Sequence, residues 1–154
     1  MQQLVCTIGK WKSGAEKSLF ELYVKRSRWP VELREMGGYA TLQPDQQRKR
    51  ETELLIATAK EWGAQHSIML DETGKALSSR ALAACFQQWQ DAGARKIAWI
   101  IGGDVGLDKS LLNQSDMALS LGAMTWPHLL VRALLAEQIY RVQTIIAGHP
   151  YHRD

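Results

Sequence analysis

Two glycine-containing turns, each directly behind an apolar run, are the first places in this sequence where chemistry could be done. They are Ile101-Gly102-Gly103-Asp104-Val105-Gly106-Leu107 and Leu119-Ser120-Leu121-Gly122-Ala123-Met124-Thr125-Trp126-Pro127. Glycines 102, 103 and 106 do not fit G-x-G-x-x-G and no G-K-[ST] follows, so neither a dinucleotide fingerprint nor a P-loop is present. A Gly-Gly pair still lets backbone N–H and C=O groups approach a ligand closely, because no Cβ intervenes. Equally, such a pair can be a tight turn that only reverses the chain. A pocket built from main chain suits a flat adenine-like ring better than a polyphosphate. A third apolar run ends in Leu70-Asp71-Glu72-Thr73-Gly74-Lys75, a further candidate wall for the same pocket.

The second concentration of reactive groups is the tail, His149-Pro150-Tyr151-His152-Arg153-Asp154. Its histidines have no thiols or clustered carboxylates beside them, so a zinc site is not expected. If ordered, its phenol, imidazole and guanidinium could hold a base and its phosphate and assist a proton transfer. Glu137 and Arg141 stand at i,i+4 in the favourable order for a helical ion pair. Arg48, Lys49 and Arg50 fit either a phosphate contact or a solvated helix face.

These groups need elements to position them. Leu4 to Gly9 reads as a buried strand, Gly14 to Arg28 as a helix with Leu19, Leu22, Tyr23 and Val24 at helical spacing, and Val31 to Met36 as a half-exposed strand. Gln46 to Trp62 reads as a long helix and His66 to Asp71 as a strand. A helix capped by Ser78 or Ser79 follows, carrying Leu82, Phe86 and Trp89 on one face. The pattern continues as strand 96–101, helix 108–115, strand 117–121 and helix 127–147. Alternating strands and helices joined by short loops predict an α/β fold: a mostly parallel sheet with helices on both faces. Ligands of such sheets bind beyond the carboxyl ends of the strands, where the three turns lie. The last helix is apolar over most of its circumference, which a homodimer would explain economically.

At 154 residues the chain is expected to form one domain, 1–154, with a core large enough to need no disulfide or metal. Cys6 and Cys85, without a secretory signal, read as buried reduced thiols of a cytoplasmic protein. No apolar run approaches the roughly 18 residues of a membrane span. A net charge of +3 and a pI near 9.0 allow a polyanionic partner without demanding one. The six tryptophans fit a core or an interface better than base-stacking platforms.

Five motifs in order carry a resemblance. They are Leu70-Asp71-x-x-Gly74-Lys75, Ile101-Gly102-Gly103-x-x-Gly106-Leu107, Leu119-Ser120-x-x-x-Met124-Thr125-x-Pro127-His128, Arg132-x-x-x-x-Glu137-Gln138-x-Tyr140-Arg141 and His149-Pro150-Tyr151-His152-Arg153. Together they resemble the small SPOUT methyltransferases that N3-methylate a pseudouridine of bacterial large-subunit ribosomal RNA. The resemblance implies a homodimer with a deep C-terminal trefoil knot, one of the rare exceptions to unknotted chains. It implies S-adenosylmethionine as methyl donor, no metal, and the assembled ribosome as substrate. Carried over by motif, the cofactor contacts would be Leu70, Gly103, Gly122, Ala123, Met124, Thr125, Trp126 and Pro127. Tyr151, His152 and Arg153 would complete the catalytic site, reaching toward the partner subunit's pocket. His152 would be the base, Tyr151 would stack on or orient the nucleobase, and Arg153 would clamp phosphate or developing charge.

The chain departs from the family pattern at Asp104-Val105, where many members have Pro-Glu or Pro-Asp, and at Gly122, where several have serine. Two other readings are a SPOUT-type methyltransferase acting on transfer RNA and a non-catalytic knotted binding protein.

Overall fold

The computed structural model describes residues 1–153, and Asp154 of the expected tail lies outside them. Five strands alternate with helices: β1 Gln2–Ile8, α1 Ala15–Arg26, β2 Val31–Met36, α2 Pro44–Glu61, β3 His66–Ala76, α3 Ser79–Asp91, β4 Lys96–Ile101, β5 Met117–Ser120 and α4 His128–Ile146. The sheet order is β2-β1-β4-β3-β5 and every pairing is parallel. All five carboxyl ends therefore face the same way, which puts the glycine turns on one rim.

Register explains why β4 reads as an uninterrupted apolar run. Trp99 pairs with Val5 on one side and Ile68 on the other, so the strand is central and covered on both faces. Ile97, Trp99 and Ile101 point into a core shared with α3 and α4, namely Phe86, Leu135, Ile139 and Val142. Ala98 and Ile100 point the opposite way, into a core with Leu55, Ile56 and Ala59 of α2. Gln3 is fully buried on the Trp99 side and accepts from Trp99 Nε1 at 2.8 Å, which satisfies the indole.

Several expectations change in detail. The segment expected as helix 108–115 is a 3-10 helix, Lys109–Gln114, opened by Asp108, whose side chain accepts from Ser110 N. β3 does not stop at Asp71. Its pairing with β5 breaks between Leu70 and Lys75, both opposite Leu119, and resumes through Ala76. On α1 the buried residue is Phe20, packed with Trp11 and Ala136, while Leu19 and Leu22 are exposed. Cys6 is buried, and burial pushes its thiol up to about 12, but Cys85 is only partly covered. Ser78, the first of the two proposed caps, is the one used.

α4 is held by a buried cation. Arg132 is 0% exposed; its guanidinium donates to Glu35 Oε1 at 2.9 Å, Ile8 O at 2.7 Å and Gly9 O at 3.1 Å, beneath the Trp11 ring. Burial lowers its pKa and the Glu35 carboxylate opposes that. A guanidinium taken out of water needs this many partners to be tolerated. The contacts tie the second turn of α4 to the end of β1, and so fix the Gly122–Pro127 loop that precedes the helix.

Candidate active site

The carboxyl ends of β3, β4 and β5 enclose a cleft of about 760 Å³. Gly102, Gly103 and Gly106 of the β4 turn line it beside apolar residues such as Leu70, Ile101 and Leu119. Gly102 runs so close to the returning chain that a Cβ there would lie 2.7 Å from the Gly106 carbonyl carbon. Gly103 O accepts from Gly106 N at 3.0 Å, closing a tight turn with Asp104 and Val105 at its tip. The Gly-Gly segment is therefore a chain reversal: a Cβ on Gly102 would meet the returning backbone and one on Gly103 would meet Ile8 and Glu51, while both residues line the cleft.

Of the expected cofactor residues, Leu70, Gly103, Gly122, Met124, Thr125 and Trp126 line the cleft. Ala123 and Pro127 belong to the same loop but do not line it; Pro127 caps α4. Gly122 has φ +123, and Ser120 Oγ donates to its carbonyl oxygen at 2.9 Å, shaping the start of the loop. Met124 is 73% and Trp126 40% exposed, so this side of the cleft is open, and Trp126 is not a core tryptophan.

Sequence reasoning missed the charged lining. Asp45, Asp71, Glu72, Asp104 and Asp108 supply five carboxylates, against Arg48, Lys109 and His128. Arg48 Nε donates to Val105 O at 2.7 Å, pinning the turn from α2, a role neither phosphate contact nor solvated face anticipated. His128 Nδ1 lies 3.1 Å from Asp104 Oδ1 and Lys109 Nζ 3.7 Å from Glu72. Asp71 accepts from Thr73 N at 2.9 Å. The surplus of carboxylates favours a cationic ligand and disfavours a polyphosphate. Nothing in the spacing of these residues announces that they meet. Arg48 and Val105 are 57 positions apart.

The tail is elsewhere. α4 stops at Ile146 with Ala147 as its cap, and Gly148, φ +64, follows as His149 N donates to Thr144 O at 2.9 Å, a glycine helix stop that turns the chain back along the helix. Tyr151 then packs on Tyr140 with ring centroids 4.7 Å apart and donates to Glu137 Oε1 at 3.0 Å. Arg141 Nε donates to the same oxygen at 2.9 Å, as the i,i+4 spacing predicts, and Arg141 lies over the Tyr151 ring. Burial, then the Tyr23 hydroxyl and Glu137, push the Tyr151 phenol up, so it keeps its proton at neutral pH. His152 Nδ1 is 3.2 Å from Arg141 Nη1. An arginine guanidinium only donates, so in this contact Nδ1 is the acceptor. Arg153 is exposed, and none of Tyr151, His152 and Arg153 lines the cleft of its own chain. From His128 to Glu137 the helix rises about 14 Å, far beyond hydrogen-bond reach.

Among the described residues no group of three or more His, Cys, Asp or Glu could hold a metal ion, and no helix is long and apolar enough to cross a membrane.

Glycine turns and a surplus of carboxylates line one cleft at the carboxyl rim of this parallel α/β sheet. The family model described as "Predicted SPOUT methyltransferase" matches residues 1–152. The chain belongs to the SPOUT methyltransferase family, whose methyl donor is S-adenosylmethionine. It is 43% identical over 153 residues to a protein of Paramagnetospirillum magneticum named Ribosomal RNA large subunit methyltransferase H, covering 99% of both chains. It is 41% identical to a protein of the same name from Rhodospirillum rubrum, covering 100% of both. A probable methyltransferase from Bordetella pertussis Tohama I shares the fold, with a TM-score of 0.57 at 12% identity over 92% of this chain and 95% of that one.

Proposed function

We propose that this chain transfers a methyl group from S-adenosylmethionine to N3 of a pseudouridine in bacterial large-subunit ribosomal RNA. It does so as a cytoplasmic homodimer with a knotted C-terminal half, acting on the assembled ribosome. The acid-lined cleft among the glycine turns carries the reading. When bound there, S-adenosylmethionine supplies an electrophilic methyl group on a positively charged sulfur. The carboxylates suit that charge, and Gly102 leaves no room for a Cβ on the wall. Leu70, Gly103, Gly122, Met124, Thr125 and Trp126 would hold the cofactor directly, with Ala123 and Pro127 setting the course of the loop.

The target imide nitrogen is weakly acidic, so a base must take its proton as the methyl arrives. Tyr151 is held protonated, and to orient the nucleobase as a donor its hydroxyl must leave Glu137. His152 takes the proton, and to do so at Nδ1 its ring must leave Arg141. Arg153, exposed at the tail, contacts phosphate. The length of helix between tail and cleft supports a dimer in which each tail serves the other subunit's cleft, and exposed Leu19 and Leu22 offer apolar surface to a second copy. The knot is proposed on the five-motif resemblance; α4 itself returns from the edge strand β5 to bond with Ile8 and Gly9 at the end of β1.

Labelled S-adenosylmethionine, 70S particles and mapping of the modified nucleotide test this directly. The expected result is a single N3-methylated pseudouridine, formed faster on particles than on protein-free ribosomal RNA. Equal rates on both would remove the assembled-ribosome part, and no cofactor binding by calorimetry at millimolar ligand would remove the enzyme itself.

A further inference from the structure

One exposed surface is used by neither cleft nor tail. In the turn that leads into α2, Leu42 N donates to Tyr39 O at 2.9 Å, and the turn presents Tyr39 at 41% and Leu42 at 36% exposure. Leu42 also lines a second groove with Gln46, Lys49, Arg50 and Glu53 of α2. Positions 46, 49, 50 and 53 form one helical stripe, opposite the stripe of Glu51, Thr52, Leu55 and Ala59 that is buried. Arg50 pairs with Glu53 only at 3.5 Å, with its side chain 68% exposed.

The turn is firmly seated and close to the cofactor wall. Glu51, 1% exposed, accepts at Oε1 from Tyr39 N at 3.0 Å and from Gln47 Nε2 at 2.9 Å. Its other oxygen, Oε2, lies 3.3 Å from where a Cβ on Gly103 would sit. One buried carboxylate thus holds the Tyr39 turn and abuts the cofactor turn. On the other flank, Asp45 and Arg48 of the same helix line the cleft. At the cleft rim, hydrogen bonds from Ser110 hold the Asp108 carboxyl low, and the charges of Lys49 and Arg48 add to that.

An exposed aromatic face, an aliphatic neighbour and two cations on a rigid mount have the composition of a single-strand nucleic-acid platform: stacking for a base, positive charge for its backbone. The acid-lined cleft would repel phosphates, so a polyanion approaching it must be carried on such a flank. We infer that Tyr39, Leu42, Lys49 and Arg50 form the docking surface for an unpaired strand of the large-subunit ribosomal RNA substrate, an inference that rests on the activity proposed above.

The test is steady-state methylation of 70S particles by the full-length protein, with cofactor affinity and oligomeric state measured in parallel. Tyr39→Ala should raise KM for ribosomes about tenfold with little change in kcat, as loss of one stacked base implies. The double variant Lys49→Glu, Arg50→Glu should raise KM further and flatten its log–log salt dependence by about 1.4, two contacts at about 0.7 each. Lys60→Glu, the same charge reversal at the far end of α2, should leave KM unchanged, and all variants should bind S-adenosylmethionine like wild type. If wild type methylates ribosomes and the Tyr39 and Lys49/Arg50 variants match it, this inference alone is overturned. If those variants become monomeric, the surface is a subunit contact and the inference is also overturned. If wild type fails to methylate ribosomes, the activity falls and takes this inference with it.

Discussion

α4 carries two differently made groups of residues. Before its start, glycine turns line the cleft, and Met124 and Trp126 beside them are left open. From its middle onward, the tail cluster is made of side chains that satisfy one another: Glu137 accepts from Arg141 and Tyr151, and Arg141 faces His152. A backbone wall fixes shape and tolerates exchange of the side chains around it. A side-chain cluster fixes proton positions and tolerates little exchange. In the proposed function the first would hold the donor and the second move the proton, and about 14 Å of helix separates them within one chain.

The sharpest way to break this comparison is to remove a proton carrier. His152→Ala is expected to lower turnover by about 10² to 10⁴ while leaving cofactor affinity and dimerisation intact, measured by single-turnover kinetics and calorimetry. Unchanged turnover would show that the tail is not the catalytic half. Mixing this variant with one disabled at Gly102 sharpens the point. If tails serve the partner's cleft, random mixed dimers regain about a quarter of wild-type activity; if they serve their own, they regain none.

The next effect should fall on binding. Gly102→Ala places a Cβ 2.7 Å from backbone that cannot swing away, so cofactor affinity should drop on the order of tenfold to a hundredfold, with about 1–3 kcal/mol lost from stability. Met124→Ala, at a side chain 73% exposed, should change affinity by no more than a few fold. Similar losses from both, in calorimetric titrations, would mean that side chains rather than main chain hold the cofactor.

The same contrast decides what could be read before folding. β4 was legible because a strand buried on both faces is apolar throughout, and the glycine turns because only glycine fits such close approach. The Glu137–Arg141 pair was legible because helical spacing alone brings it together. α1 was misread because Leu19, Phe20, Leu22, Tyr23 and Val24 offer two overlapping apolar stripes, and only packing against Trp11 and Ala136 chooses Phe20. The Lys109–Gln114 segment looked helical in composition but spans only six residues between fixed strand ends, which holds it in a 3-10 turn. Arg48 read only as a phosphate contact or a solvated face, and Glu51 gave no signal at all. Their partners, Val105 and the Tyr39 turn, come from other segments, and a charged residue in a polar helix reads as solvated until the fold buries it.

The smallest expected effect comes from the opposite rim, which should be indifferent to both halves. His66 Nδ1 lies 3.1 Å from Asp116 Oδ1, the ring stacks on Trp89, and Asp116 Oδ2 accepts from Ser67 N at 2.8 Å. Burial works against the charged carboxyl, but the Ser67 amide and His66 outweigh it and hold Asp116 below the usual carboxylate range. A depressed folded pKa stabilises the fold in full above the unfolded value of about 3.9 and loses that contribution as pH falls through the lower folded value. With its side chain 43% exposed, screening limits the gain to about 0.5–1 kcal/mol. Asp116→Asn should therefore lower chemical-denaturation stability by that amount at pH 7 and by less below pH of about 3, without altering cofactor affinity or turnover. A loss of activity there would mean that cleft and tail are coupled through the sheet, and the division along α4 would no longer describe how the molecule works.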